Sequence, residues 1–125
     1  MNRRRKGAWW EGEAARHLEE AGYAILARNY RTRTGEIDLI ACKENLVVFV
    51  EVKMRSSEAF GRPEEAIDTR KQKKIIEIAK CYLAEHPCPA LDIRFDVIAI
   101  TSQGAERNIK HFEDAFRVED ESRGD

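Results

Sequence analysis

Two neighbouring apolar runs, EIDLIAC at 36–42 and LVVFVEVK at 46–53, carry charged residues where an ordinary buried strand would carry valine or leucine. Lys43-Glu44-Asn45 lies between them and is polar enough for a hairpin loop. With the loop centred on Glu44-Asn45, Asp38 opposes Glu51, Glu36 opposes Lys53 and Ile40 opposes Phe49. The other face is then wholly apolar, with Ile37, Leu39 and Ala41 against Val48, Val50 and Val52. A loop of odd length would set the charges against apolar residues, which the alternation disfavours. Directly opposed residues have Cβ atoms about 4.5–5.5 Å apart. Two carboxylates so placed repel unless a cation sits between them, and burying either costs several kcal/mol unless it is paired or binds a cation.

The rest of the chain supplies partners for this pair of strands. Trp10, Ala14, Leu18 and Ala21 recur at helical spacing, which predicts a helix over 8–21 with Gly22 as the residue that ends it. Glu13 borders that stripe. Tyr23 to Thr32 alternates as a strand, and Thr34-Gly35 marks a turn. Residues 56–62 read as a loop, and Pro63-Glu64-Glu65 suits the start of a helical turn. A long helix is predicted over 69–85, with Ile75, Ile78, Ala79, Tyr82 and Leu83 as its buried stripe. Residues 94–100 form a further apolar strand containing Asp96, and 108–116 fit either a strand or a helix. The order α-β-β-β-α-β predicts an α/β fold, a mixed sheet flanked by helices. The helix between strands 46–53 and 94–100 is long enough for a parallel crossover.

At 125 residues the chain suits one domain, with a core over about 7–116 and a flexible acidic tail over 117–125. Apolar residues make up 42% and charged residues 36%, a globular rather than a disordered balance. No apolar run approaches the ~18 residues that span a bilayer. The basic start MNRRRKGAWW leads into Glu11 and Glu13 instead of an apolar stretch, so no secretory signal is expected. Cys42, Cys81 and Cys88 form no C-x-x-C pair, which indicates neither a zinc site nor a disulfide framework and favours reduced thiols in the cytoplasm. A net charge of −1 argues against a strongly basic nucleic-acid binder, but residues 113–125 carry −4 of it, leaving +3 on the body. No Gly-rich phosphate loop or G-x-S-x-G elbow is present.

Mg²⁺ takes oxygen ligands, and proteins commonly offer it one or two carboxylates beside substrate phosphate. Asp38 and Glu51 would supply these from adjacent strands. Lys53, on the same strand face as Glu51, can orient an attacking water or neutralise the charge that grows on a scissile phosphate. Glu13 can add a third acid if the first helix packs on the sheet edge, and Lys71 or Gln72 can reach the phosphate from the long helix. The same spacing also suits a salt-bridge cluster on a half-exposed sheet. In that reading Glu36 pairs with Lys53 or Arg33, Glu13 is a solvated helix residue, and Lys71, Lys73 and Lys74 form a solvated face. Asp96 reads as a structural acceptor, with Arg94 as a candidate partner. His17, His86 and His111 are dispersed and read as unremarkable. Trp9 and Trp10 can stack on bases, although packing of one and partial exposure of the other fits the helix better.

Gly12-Glu13, Asn29-Tyr30-Arg31, GEIDLIA at 35–41, VFVEVKMR at 48–55, Phe60-Gly61 and RFDVIAI at 94–100 together closely resemble the YraN family of small, poorly characterised bacterial proteins. The match covers about 7–116. That family is similar in turn to the PD-(D/E)XK nuclease superfamily and, within it, to archaeal Holliday-junction resolvases. The superfamily's acid, then acid-x-lysine, maps onto Asp38 and Glu51-Val52-Lys53, and the resolvases' helical acid maps onto Glu13. The resemblance implies a restriction-endonuclease-like core and a Mg²⁺- or Mn²⁺-dependent endonuclease acting on DNA, including branched DNA in repair or recombination. It also implies the Val52 backbone carbonyl as a further metal ligand, Lys71 or Gln72 as an assisting group, and a homodimer by analogy with resolvases. A non-catalytic nucleic-acid-binding or scaffold protein on the same fold is the alternative.

Overall fold

The computed structural model describes residues 3–55, 67–87, 92–103 and 106–118. Helix α1 (Arg3–Glu20) leads into strands β1 (Ala24–Arg31), β2 (Glu36–Lys43) and β3 (Leu46–Arg55), then helix α2 (Thr69–Glu85) and strands β4 (Asp92–Gln103) and β5 (Glu106–Phe116). The segment that sequence left open is therefore a strand, and the order is α-β-β-β-α-β-β. Its pattern was ambiguous because the β4–β5 register shifts between Phe95 and Val97, and Asp114 has φ 57°, so alternation breaks partway along. Helix α1 starts five residues before the expected Ala8. Arginine and lysine extend a helix well but add no apolar periodicity to read. The expected loop and helical turn over 56–65 lie outside the described residues, as do residues 119–125 of the acidic tail.

The five strands form one mixed sheet in the order β1-β2-β3-β4-β5. Its pairs are antiparallel except β3 with β4, which run parallel as the intervening α2 requires. Alternation along the strands sends each set of apolar residues to one of two cores. Leu39, Ala41, Val48, Val50, Ile98 and Ile100 pack with Trp10, Ala14, Ala15 and Leu18 of α1. Ile40, Val47, Phe49, Phe95 and Val97 pack with Ile75, Ile78, Ala79 and Tyr82 of α2. Two expected positions differ. Ala21 is exposed, because the helix has already ended. Ile37 joins the α2 core instead of lining up with Leu39 and Ala41, at the end of β2 where it has left β3.

The end of α1 is fixed by backbone chemistry. Tyr23 N–H donates to Leu18 O at 2.9 Å and Gly22 N–H to Glu19 O at 3.0 Å, with Gly22 at φ 96°. This pair of bonds needs a left-handed residue between them, which glycine adopts without steric cost. Tyr23 and Leu18 both enter the α1 core, so the cap also aims the chain into β1. No helix among the described residues is long and apolar enough to cross a membrane.

Candidate functional site

The β2–β3 hairpin follows the expected register from Lys43↔Leu46 through Ile40↔Phe49 to Leu39↔Val50, and there it stops. Asp38 and Glu51 are not paired through the backbone, nor are Glu36 and Lys53. Instead the Asp38 side chain enters the gap, and the Val52 N–H donates to its Oδ2 at 2.8 Å. A side-chain acceptor thus takes the place of a ladder carbonyl, which satisfies a backbone donor that would otherwise be stranded. The strands part at the point where like charges would have been pressed together.

Alternation puts Glu51 and Lys53 on the Phe49 side of β3, the face covered by α2, whereas at Asp38 the alternation of β2 breaks, since Ile37 and Ile40 both join the α2 core. Glu51 is only 4% exposed. Its Oε2 is met by Lys71 Nζ at 2.9 Å. Asp68 caps α2 by accepting from Lys71 N at 2.8 Å, so the helix start that carries Lys71 is held in place. Of the expected residues, the fold therefore gathers Asp38, Glu51, Lys53 and Lys71. Gln72 turns away, donating from Nε2 to Ile67 O at 2.9 Å. Glu13 is clamped by Arg16 at 2.8 Å and Arg107 at 2.6 Å. On α1 it is Glu11 whose charge is felt at Asp38. The sequence reading names Glu13 and not Glu11, although Glu11 stands one turn before the buried Ala15. Glu36 pairs with Arg31 across the β1–β2 rung at 2.8 Å, and not with Lys53 or Arg33 as expected.

The electrostatics are those of a site lacking positive charge. Burial pushes the Asp38 carboxyl up to about 6, with Glu11 and Glu36 adding to the shift and the Val52 N–H opposing it. Glu51 is raised by burial and by Asp38, against the pull of Lys71 and Lys53. Lys53 is depressed by burial and by its contact with Lys71. Burial lowers Lys71 as well, but its bond to Glu51 outweighs this and leaves it raised. Of the two ammonium groups, Lys53 releases its proton more readily. A cleft of about 450 Å³ opens beside this cluster, between the β1–β2 turn at Thr34-Gly35 and Arg70, Lys71 and Lys74 of α2.

These charges make a stability prediction with a definite sign. An acid whose folded pKa exceeds its unfolded value costs stability above the folded pKa, and that cost disappears as pH falls toward the unfolded one. For a shift from 3.8 to about 6 the cost is on the order of 2–3 kcal/mol. Asp38→Asn keeps an acceptor for Val52 N–H and loses the charge. It is expected to raise metal-free stability at pH 7 by up to about 2 kcal/mol, with the gain vanishing near pH 4. Asp38→Ala strands the Val52 donor and forfeits about 1–3 kcal/mol of that gain. Urea midpoints of the three proteins across pH 4–7 check this, since other titrating groups cancel in the differences. A loss of stability in the asparagine variant at pH 7 would count against the charge argument.

A second polar cluster, on the α1 face, was only partly legible. Asp96 is fully buried and accepts from Arg94 Nε and a terminal guanidinium nitrogen, each at 2.8 Å, and from Asp114 N at 3.0 Å. His111 Nε2 lies 2.7 Å from the same carboxylate, and His111 Nδ1 lies 3.2 Å from His17 Nε2. The Arg94 partnership was expected. The histidines, read as dispersed, are joined across 94 positions, and no local pattern signals that.

The profile of an uncharacterised protein family, UPF0102, matches residues 10–100. The chain belongs to UPF0102. A UPF0102 protein of Lachnoclostridium phytofermentans is 46% identical over 117 residues, covering 93% of this chain and 98% of its own length. One from Sulfurihydrogenibium sp. strain YO3AOP1 is 43% identical over 119 residues, covering 95% and 100%. One from Syntrophotalea carbinolica is 43% identical over 113 residues, covering 90% and 92%. The UPF0102 match spans α1 to β4 and so contains both strands of the acidic site and the start of α2.

Among the described residues no group of three or more His, Cys, Asp or Glu side chains is placed to hold an ion. That disfavours a closed zinc-type cage. A buried carboxylate, Glu51, raised by burial and by the half-buried Asp38 beside it and met by the Lys71 ammonium, fits a hard divalent ion that keeps most of its waters.

Proposed function

We propose that this UPF0102 protein is a Mg²⁺- or Mn²⁺-dependent endonuclease on a restriction-endonuclease-like core, hydrolysing phosphodiester bonds in DNA. The observation that carries the reading is the parting of β2 and β3 at Leu39↔Val50, which leaves Asp38 and Glu51 side by side under Lys71. Asp38 and Glu51 would hold the ion, with the Val52 carbonyl as a further oxygen. When bound, the ion supplies a water of lowered pKa and shields charge at the phosphate. Lys53 holds the attacking water or a phosphate oxygen from the Glu51 side, and its depressed pKa leaves Nζ able to exchange a proton with that water. Lys71, which holds the Glu51 carboxylate at 2.9 Å, would be the α2 group that meets the phosphate.

The test is a cleavage panel of duplex, single-stranded, flap and four-way DNA, with RNA controls, in Mg²⁺ and in Mn²⁺, using wild type and Asp38→Asn. Metal-dependent cleavage lost in the variant is expected. A folded, metal-binding wild type that cuts nothing would make the protein a non-catalytic binder. Cleavage that survives the substitution would come from another site.

A further inference from the structure

Trp9 stands out on the surface of α1. Its neighbour Trp10 is buried at 7% exposure, but Trp9 remains 45% exposed. Helical phase allows this, since only one of two adjacent residues can face the sheet. Nothing in that phase requires the outer one to be tryptophan. Its ring is also held in place. Trp10 meets it edge-on with centroids 4.6 Å apart. The Arg107 guanidinium lies 4.7 Å from the ring centroid, and Arg107 is itself anchored by Glu13 at 2.6 Å. A flat aromatic surface and a planar cation, both braced by side chains of α1 and both partly open to solvent, suit the stacking of a nucleobase.

Strand register places this platform relative to the acids. Lys53 aligns with Ala99, which aligns with Lys110, and three residues further along the sheet Ser102 aligns with Arg107. With strands about 4.8 Å apart and ~3.3 Å rise per residue, the Lys53 and Arg107 backbones are roughly 14 Å apart, Lys53 turned to the α2 face and Arg107 to the α1 face. A strand leaving Asp38 and Glu51 would pass over the ends of β3 and β4 to reach it, a path of a few nucleotides.

We infer that Trp9, braced by Arg107, is a stacking site for an unpaired nucleobase, so that the protein prefers DNA with a single-stranded segment beside the scissile position over continuous duplex. The inference rests on the nuclease reading and names its substrate class. Binding should be measured by fluorescence anisotropy in Ca²⁺, with labelled flap and blunt-duplex DNA of equal length, for wild type, Trp9→Phe and Trp9→Ala. Trp9→Ala is expected to weaken flap binding about five- to hundred-fold, leave duplex binding unchanged and keep the wild-type melting temperature. Trp9→Phe should retain most of the affinity, and abasic residues in the flap should reproduce the loss in wild type. Equal loss on both DNAs, no loss on the flap, or no binding of either DNA by wild type overturns the inference. Cleavage of the same DNAs in Mg²⁺ separates the two claims. Trp9-dependent flap binding without cleavage would sink the nuclease reading alone, whereas cleavage indifferent to Trp9 but lost in Asp38→Asn would sink the stacking site alone.

Discussion

Replacing Asp96 by alanine is expected to destabilise the fold by about 3–5 kcal/mol, the largest stability loss of any substitution considered for this chain. Asp96 has no exposed surface and serves Arg94, His111 and the Asp114 N–H at once. Burial alone would raise its pKa, but the bonds from His111, Arg94 and Asp114 outweigh this and hold it below the ordinary carboxylate value. Removing it leaves the Asp114 donor unmet beside the bulge, leaves the His111 ring with His17 alone of its two side-chain partners, and leaves Arg94 with Tyr23 Oη at 2.7 Å and Glu113 at 3.8 Å. Tyr23 belongs to the cap of α1, so the damage spreads from β4 to the helix and to β5. Asp96→Asn keeps the shape and part of the bonding and should cost less than half as much. Urea denaturation at pH 7 measures both. The sign with pH is opposite to that of Asp38: a depressed carboxyl stabilises above its unfolded pKa, and the benefit is lost as pH falls through the folded value. An Asp96→Ala midpoint equal to wild type would mean that the cluster is ornamental to the fold.

The second large effect concerns Lys53. On the proposed chemistry, Lys53→Ala is expected to lower the cleavage rate about 10²–10³-fold, the usual consequence of removing one donor aimed at developing charge. The same substitution should leave metal-free stability unchanged or slightly raised, because Lys53 is half-buried with its charge disfavoured by desolvation and by Lys71. Rate and stability thus move independently, which a merely structural lysine would not allow. Lys53→Arg restores a cation but not one that releases its proton as readily as Lys53. It should recover charge-dependent binding of DNA without recovering the rate. Single-turnover rates and melting temperatures of the three proteins, measured together, decide this, and a Lys53→Ala enzyme that cuts at the wild-type rate would remove Lys53 from the chemistry.

How far the sequence could be read depended on the range of the interaction. The β2–β3 register was legible because alternation of period two tolerates no slip once one face is apolar, and Ile40↔Phe49 is where that argument put it. The cap at Gly22 and the bounds of α2 were legible for the same reason, since both are set by neighbours within a turn. What the pattern could not show was that the ladder ends at Leu39↔Val50. Repulsion between Asp38 and Glu51 was foreseen as a cost to be met by a cation, whereas the chain meets it first by parting the strands and giving Asp38 a backbone donor. Glu13 is tied up by Arg107, 94 positions away, and His17 meets His111 across a bulge in β5. Neither leaves a local trace.

The claim that most needs testing is that Asp38 and Glu51 form one cation site. Isothermal titration of the folded protein with Mg²⁺ and with Mn²⁺, at pH 5 and pH 7.5, for wild type and Asp38→Asn, tests it directly. Protons and metal compete for the same oxygens, and Asp38 titrates at about 6. Wild type should therefore bind at pH 7.5 and bind at least about tenfold more weakly at pH 5, and melting curves should show metal-dependent stabilisation only at the higher pH. Asp38→Asn should show neither binding nor stabilisation at either pH, although it folds at least as stably as wild type without metal. Equal metal affinity in wild type and Asp38→Asn would contradict the site.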